Sequence, residues 1–126
     1  MNGLHLTADL SGCADLALLV DASGLAQQCR AATEANGLTV VGDHWHRFPD
    51  GPQGQLGGLT GMLLLAESHV ALHTWPELGA VTLDVYVCNY GADNSLKARS
   101  LMSALVALFR PQQADCQELQ RGRRPD

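Results

Sequence analysis

Alternating and helical spacings of hydrophobic residues divide the chain into several strands and two helices. The clearest strand is Ala80–Cys88, in which every odd position from 81 to 87 is Val or Leu. Because alternate side chains of a strand point to opposite faces, one face is aliphatic and packs on helices, while the other is mixed and carries Cys88. Similar patterns predict strands over residues 4–10, 38–45, 61–66, 69–75 and 112–119.

Two segments have the hydrophobic spacing of helices. Residues 15–36 form the first, unless the Ser23–Gly24 pair delays its start. The second begins near Asp93–Asn94–Ser95, where side-chain oxygens offer an N-cap, and it runs to about residue 108. Between the two helices, residues 49–58 hold four glycines and two prolines, which predicts a loop.

The order of these elements, which is strand, helix, several strands, helix and strand, favours an α+β fold. We expect a two-layer sandwich with a mainly antiparallel sheet and the helices on one face. A length of 126 residues predicts one domain spanning residues 1–126. A two-layer domain of this size leaves one sheet face hard to cover, which favours a homodimer.

Composition and charge narrow the classes of partner. Hydrophobic residues make up 46% of the chain, enough for a packed core, and the net charge of −5 disfavours nucleic acid as a partner. The four cysteines lie far apart without a Cys-x-x-Cys pair, so reduced thiols in the cytoplasm are the simplest interpretation. We see no signal peptide and no apolar stretch near the roughly 20 residues that span a bilayer, so no membrane association is expected. The basic stretch 121–124 is interpreted as a solvated chain end.

The most informative stretch is Glu67–Glu77, which reads Glu-Ser-His, then three residues, then His-Thr-Trp-Pro-Glu. It resembles the self-cleavage and active-site segment of the bacterial pyruvoyl-dependent S-adenosylmethionine decarboxylases. The similarity extends to Gly3-x-His5-Leu6 and to Arg121-Gly122-Arg123, and so spans nearly the whole chain. The resemblance implies the fold of that family and a decarboxylase that supplies the aminopropyl donor for spermidine.

Amino-acid decarboxylation needs an electron sink for the carbanion left when CO2 departs, and pyridoxal phosphate on a lysine is the usual one. The chain has one lysine, Lys97, without a glycine-rich phosphate cradle beside it, so pyridoxal phosphate is not favoured. A carbonyl built into the protein can do the same work, since the substrate amine condenses with it. The resemblance shows how this chain would make such a carbonyl.

In the family, a serine generates the pyruvoyl group by cutting the chain before itself. By resemblance, the Ser68 hydroxyl attacks the Glu67 carbonyl to give an ester, elimination leaves dehydroalanine, and hydrolysis yields the pyruvoyl group. The scissile bond is then the one between Glu67 and Ser68. Cleavage gives a β chain of residues 1–67 and an α chain of residues 68–126.

Three more roles in chemistry come from matching positions in the family. The resemblance implies that His73 assists the elimination step during processing. It implies that Thr60, where the family often has serine, stabilises the acyl-shift intermediate. It also implies that Cys88 donates a proton to the α-carbon after CO2 leaves. An unperturbed thiol pKa of about 8.5 suits a proton donor at neutral pH.

Further positions match the substrate pocket of the family. Trp75 and Glu77 belong to the Trp-Pro-Glu that shapes the pocket, and Phe48 matches an aromatic residue that stacks on adenine. Phe48 lies further from the cleavage site than in compact members, because a glycine–proline loop intervenes. With the unusual segment 89–95, this departure leaves the substrate open. It is S-adenosylmethionine or, as the alternative, a basic amino acid such as arginine or ornithine, decarboxylated by the same pyruvoyl mechanism.

Strand alternation gives one geometric expectation about the site. His69, Ala71, His73 and Trp75 share one face of their strand by the two-residue period. If that face matches the face of the next strand that carries Cys88, then His73 and Cys88 meet in one site.

A metal site is the remaining alternative. His44 and His46 share a strand face, as do His69 and His73, and imidazole suits zinc, copper or iron. The nearby carboxylates do not fall into a known ligand spacing. A His-rich metal-binding protein is therefore the remote alternative, and no metal is expected in the site.

Overall fold

The computed structural model of the protein describes residues 2–123, and within them the chain forms a six-stranded sheet and two α-helices. The strands are β1 (Gly3–Ser11), β2 (Val40–Arg47), β3 (Leu59–Leu65), β4 (Ser68–Trp75), β5 (Ala80–Cys88) and β6 (Gln113–Arg121). The helices are α1 (Ala22–Ala35) and α2 (Ser95–Phe109), with short 3-10 turns at Leu18–Val20 and Pro76–Leu78.

Every pair of neighbouring strands is antiparallel, in the order β2-β3-β4-β5-β1-β6. Strands β2 to β5 follow one another along the chain, whereas β1 lies between β5 and β6, so the first and last strands pair with each other. Helix α1 contacts β2 and β3, and α2 contacts β1 and β5. The expected α+β sandwich with an antiparallel sheet and helices on one face is confirmed.

The core lies between the sheet and the helices, and strand alternation selects its members. The odd positions of β5, from 81 to 87, are all buried, as predicted. Burying one such aliphatic side chain contributes roughly 1.5–3 kcal/mol, so this face of the sheet is a main source of stability. The helices cover it with buried side chains, among them Leu25, Cys29, Leu101, Leu105 and Phe109.

The opposite side of the sheet, which we call the open face, carries no helix within residues 2–123. Its cross-strand rows are Leu64, His69, Tyr86 and His5; then Met62, Ala71, Asp84 and Thr7; then Thr60, His73, Thr82 and Asp9. Met62 and Leu64 are 39% and 49% exposed on it. The open face is therefore mixed in character, as the alternation of β5 predicts.

The two ends of the chain differ from their predictions. A helix running continuously from residue 15 is wrong, whereas the alternative of a delayed start near Ser23–Gly24 is confirmed, because α1 begins at Ala22. The carboxylate of Asp21 accepts a hydrogen bond from the Gly24 N–H at 2.9 Å, and this N-cap fixes the start. At the other end, β6 continues to Arg121, so the predicted solvated end begins inside the sheet. Residues 124–126 lie outside the described part of the chain.

Candidate active site

The hairpin of β3 and β4 holds the expected cleavage site in its turn. Leu65 pairs with Ser68, which leaves Ala66 and Glu67 as a two-residue turn. Glu67 adopts a positive φ of 56°. The peptide bond between Glu67 and Ser68 is therefore the junction of the turn with β4.

The hydroxyl of Ser68 is held by the backbone of β5. Pairing between β4 and β5 begins at His69 and Tyr86, so Cys88 lies just beyond it. The Cys88 N–H donates to Ser68 Oγ at 3.0 Å. The cysteine itself is only 5% exposed. Ser68 and Cys88, which the resemblance assigns to one site, are thus in contact.

Two asparagines that sequence reasoning did not assign to the site hold the end of β5. Asn94 stands at the N-cap position of α2, but its side chain makes no capping bond. Instead its amide donates to the Cys88 carbonyl at 3.0 Å. Its own N–H donates to Asn89 Oδ1 at 2.7 Å. We call Glu67, Ser68, Cys88 and Asn94 the cleavage end of the sheet.

Thr60 and His73 form a second cluster near the opposite end of β3 and β4. They are direct cross-strand partners, and Thr60 Oγ1 lies 2.9 Å from His73 Nδ1. A hydroxyl both donates and accepts, so this bond can serve either tautomer of the imidazole. The two residues that the resemblance links to processing are therefore in contact with each other.

A pocket of about 470 Å³ opens beside this pair. Its lining includes all three predicted pocket residues, Phe48, Trp75 and Glu77. Phe48 and Trp75 are 47% and 37% exposed, which leaves ring surface open to a ligand. We call Thr60, His73 and these three residues the pocket end of the sheet.

The predicted loop after Phe48 forms one wall of the pocket. The carboxylate of Asp50 accepts hydrogen bonds from the Gly57 N–H and from Arg47, both at 3.0 Å. The Gly57 bond, and after it the charge of Arg47, lower the pKa of Asp50. A Cβ at Gly57 would overlap the carbonyl oxygen of Phe48, so glycine lets the loop fold back on itself. The loop is thus an organised wall.

The cleavage end and the pocket end do not meet within one chain. Ser68 and His73 lie five residues apart on β4, which at about 3.3 Å per residue is about 16 Å. His73 pairs with Thr82, and Cys88 lies six residues further along β5, about 20 Å away. The expectation that His73 and Cys88 meet in one site is therefore wrong for a single chain, although their strands share the open face.

A polar cluster lies on the open face beside the cleavage end. His5 Nε2 lies 2.9 Å from Asp84 Oδ1, and Arg121 donates to His5 Nδ1 at 3.3 Å. Because arginine only donates, Nδ1 accepts and Nε2 carries the proton toward Asp84. Arg121 also stacks on Tyr86, 5.9 Å from the ring centre. Burial and then the nearby His5 lower the pKa of His69, whose ring lies 5.5 Å from Tyr86.

Two chain segments noted for their family similarity converge in this cluster, since His5 comes from the first strand and Arg121 from the last. The sequence gives Asp84 and Tyr86 no catalytic or substrate-binding role, although alternation places both on the mixed face of β5 that is expected to pack in a dimer. Their partners come from distant parts of the chain, so only the fold reveals the contact.

Residues 2–123 contain no group of three or more His, Cys, Asp and Glu side chains placed to hold a metal ion. No helix in that range is long and apolar enough to cross a membrane. The paired histidines on β2 and β4 therefore lack a complete ligand set there.

Proteins of one family match the chain over nearly its whole length. The sequence model described as S-adenosylmethionine decarboxylase matches residues 4–122. A protein of Aquifex aeolicus (strain VF5), named S-adenosylmethionine decarboxylase proenzyme, is 35% identical over 120 residues, covering 95% of this chain and 81% of the relative. A protein of the same name from Methanococcus maripaludis (strain S2) is 32% identical over 120 residues, covering 95% of this chain and 89% of the relative. The crystal structure of the adenosylmethionine decarboxylase from Aquifex aeolicus VF5 matches with a TM-score of 0.82 at 34% identity, covering 98% of this chain and 93% of that one.

Proposed function

The chain belongs to the S-adenosylmethionine decarboxylase family, and we propose that it decarboxylates S-adenosylmethionine with a pyruvoyl group made from its own Ser68. The expectation of a decarboxylase of this family is confirmed by the sequence and structural matches. The word proenzyme in the names of the relatives supports processing of a precursor. The proposed product is the aminopropyl donor for spermidine synthesis.

The position of Ser68 at the end of a hairpin turn is the observation that carries this proposal. The hydroxyl attacks the Glu67 carbonyl, and the Cys88 N–H bond at 3.0 Å holds that hydroxyl beside the turn. Because the cut falls where the turn meets β4, the new strand end keeps its pairing with β3 and β5. A pyruvoyl group at position 68 therefore fits: it would sit on a strand that the sheet holds from both sides.

In turnover, residues of the cleavage end carry out the chemistry and residues of the pocket end bind the substrate. When formed, the pyruvoyl group supplies a carbonyl that condenses with the substrate amine and accepts the electrons released with CO2. Cys88, beside position 68, delivers the proton to the α-carbon. At the pocket end, Phe48 and Trp75 offer rings for the adenine, and stacking of a base on a ring is worth roughly 1–3 kcal/mol. Glu77 offers a carboxylate that accepts hydrogen bonds.

The separation of the two ends supports a homodimer with shared sites. About 16 Å between Ser68 and His73 of one chain is too far for the histidine to act on the Ser68 ester. Two copies that pack their open faces around a two-fold axis would set the pocket end of each against the cleavage end of the other. Burial of the exposed Met62 and Leu64 would favour such packing. Each dimer then has two equivalent sites.

Intact mass and CO2 release test the proposed function together. The purified protein should contain two chains divided before Ser68, with the α chain lacking a normal amino-terminal serine. The Ser68→Ala variant should remain one chain and release no CO2. A wild-type chain that stays whole and is still active would show the pyruvoyl proposal to be wrong.

The same assay decides the substrate. S-adenosylmethionine, arginine and ornithine, each labelled in the carboxylate, are offered separately, and release is expected from S-adenosylmethionine. Release from arginine or ornithine alone would overturn the proposed substrate and leave the pyruvoyl mechanism in place. The size and open rings of the pocket favour the larger, base-bearing substrate.

A further inference from the structure

The residue before the scissile bond has a backbone conformation that residues with a side chain rarely adopt. The φ of Glu67 is 56°, in the left-handed region. Among the non-glycine residues of the described range, only Glu67 and Arg110 have a positive φ. In this conformation the Cβ approaches the following carbonyl oxygen, which raises the energy of the folded chain. Glycine, without a Cβ, avoids that contact.

The type of turn adds to the strain. Two-residue hairpin turns that match the twist of their strands have a positive φ at both central residues or at the first alone. Here Glu67, the second, has the positive φ and Ala66 does not, so the turn is neither of the two types that match the twist of the strands. Leu65 and Ser68 nevertheless remain paired, and β3 and β4 continue in register. Strand pairing in the sheet therefore keeps the turn in a backbone conformation that is unfavourable for it.

We propose that Glu67 is a positioning residue for self-cleavage, and that it acts through the strain of its backbone rather than through its carboxylate. This inference rests on the proposed self-processing at Ser68. Strain in the turn raises the free energy of the uncut chain. Any part of that strain that is relieved in the transition state lowers the barrier and speeds cleavage.

The first step of processing offers such a release. Oγ of Ser68 forms a bond to the carbonyl carbon of Glu67, and the bond from that carbon to the Ser68 nitrogen breaks. The hydroxyl proton passes to that nitrogen, which leaves an ester and a free amine. The path between the two Cα atoms gains one bond, through Oγ and Cβ, so Glu67 can leave the left-handed region. The Cys88 N–H holds the attacking oxygen meanwhile.

Three substitutions separate the backbone from the carboxylate. Glu67→Ala removes the carboxylate but keeps a Cβ in the left-handed region, whereas Glu67→Gly removes both. Glu67→Asn lies between, because asparagine tolerates this conformation better than alanine. Precursor is made by cell-free synthesis, and the loss of full-length chain is followed with time. We expect Glu67→Gly to cleave roughly five- to tenfold more slowly than Glu67→Ala, with Glu67→Asn between them.

Thermal unfolding of a precursor that cannot cleave measures the strain itself. In the Ser68→Ala background, Glu67→Gly should melt a few degrees higher than Glu67→Ala, because the strained Cβ is gone. Arg110→Gly is the matched control, since Arg110 has the other positive φ, 44°, at the end of α2 and away from both ends of the site. It should also raise the Tm of the precursor and leave the cleavage rate of the otherwise wild-type chain unchanged.

The outcomes distinguish this inference from the proposal on which it rests. If wild type cleaves and Glu67→Gly cleaves as fast as Glu67→Ala, the inference alone is overturned. A Glu67→Gly precursor that melts below Glu67→Ala also overturns it, because slow cleavage would then come from a loosened turn. A wild-type chain that never cleaves overturns both proposals.

Discussion

The cleavage end and the pocket end of the sheet are built from different kinds of contact. At the cleavage end the backbone holds the Ser68 hydroxyl, because the Cys88 N–H donates to Ser68 Oγ at 3.0 Å. At the pocket end the contacts are between side chains, such as the 2.9 Å bond of Thr60 to His73. A geometry held by backbone survives truncation of a side chain, whereas one made of side chains does not. The two ends should therefore respond differently to substitution.

Cys88→Ala gives the largest expected effect that separates processing from turnover. The alanine keeps the backbone N–H that holds Ser68 Oγ, so the chain should still be cleaved. It lacks the thiol that we propose as the proton donor. Positioned acid–base groups contribute typically about 10²–10⁴-fold, so the rate of formation of the decarboxylated product should fall by about that factor. Mass spectrometry and product analysis read the two effects. Cys116→Ala, at an exposed cysteine on β6, is the control and should change neither. A cleaved and fully active Cys88→Ala protein would remove the thiol from the mechanism.

Phe48→Ala tests the pocket end at its open ring. If the ring stacks on adenine, its loss should lower kcat/KM for S-adenosylmethionine by about tenfold or more, since stacking on a ring is worth roughly 1–3 kcal/mol. Self-cleavage should be unchanged, because the Phe48 ring contacts His46, whereas Thr60 and His73 are joined by their own hydrogen bond. Steady-state kinetics on the cleaved protein give the comparison. If kcat/KM for S-adenosylmethionine is the same in Phe48→Ala as in the wild type, the stacking role of Phe48 is wrong.

Thr60→Val gives the smallest effect and sharpens the contrast between the ends. Valine keeps the shape of threonine but removes the hydroxyl that bonds His73 Nδ1. A hydrogen bond contributes roughly 0.5–1.5 kcal/mol net, so self-cleavage should slow by about two- to tenfold. Thr60→Ser restores the hydroxyl and should cleave near the wild-type rate. Equal slowing in Thr60→Ser and Thr60→Val would point to packing rather than to the hydrogen bond.

The sequence predicts the fold and the faces well because both depend on alternation. The odd positions of β5 form the core, and His73 lies on the open face, as their periods indicate. Alternation does not determine the register between neighbouring strands. It therefore gives the shared face of His73 and Cys88 but not the offset of six positions along β5 from Thr82, the partner of His73, to Cys88.

Capping rules do not predict the hydrogen-bond partner of the Asn94 side chain. Asn94 is a sound prediction for an N-cap, because its side chain readily bonds nearby backbone. In the fold its amide instead donates to the Cys88 carbonyl, six residues back at the end of β5, so the capping rule finds the residue but not its partner. The contact of His5 with Asp84 is different, because it depends on the pairing of β1 with β5. Tertiary partners of this kind leave no local signal.

Complementation between two inactive chains tests most directly that each site is shared by two copies. Ser68→Ala and His73→Ala chains, each with its own affinity tag, are co-expressed, and dimers that carry both tags are isolated. In a shared arrangement, one site of the mixed dimer combines both defects. The other combines the Ser68 of the His73→Ala chain with the intact His73 of the Ser68→Ala chain.

The mixed dimer should therefore recover about half of the wild-type CO2 release, since one of two equivalent sites is intact. The His73→Ala chain, uncut when expressed alone, should be cleaved before Ser68 in that dimer. A mixed dimer that stays inactive with an uncut His73→Ala chain would contradict the shared site. So would a His73→Ala chain that cleaves at the wild-type rate by itself.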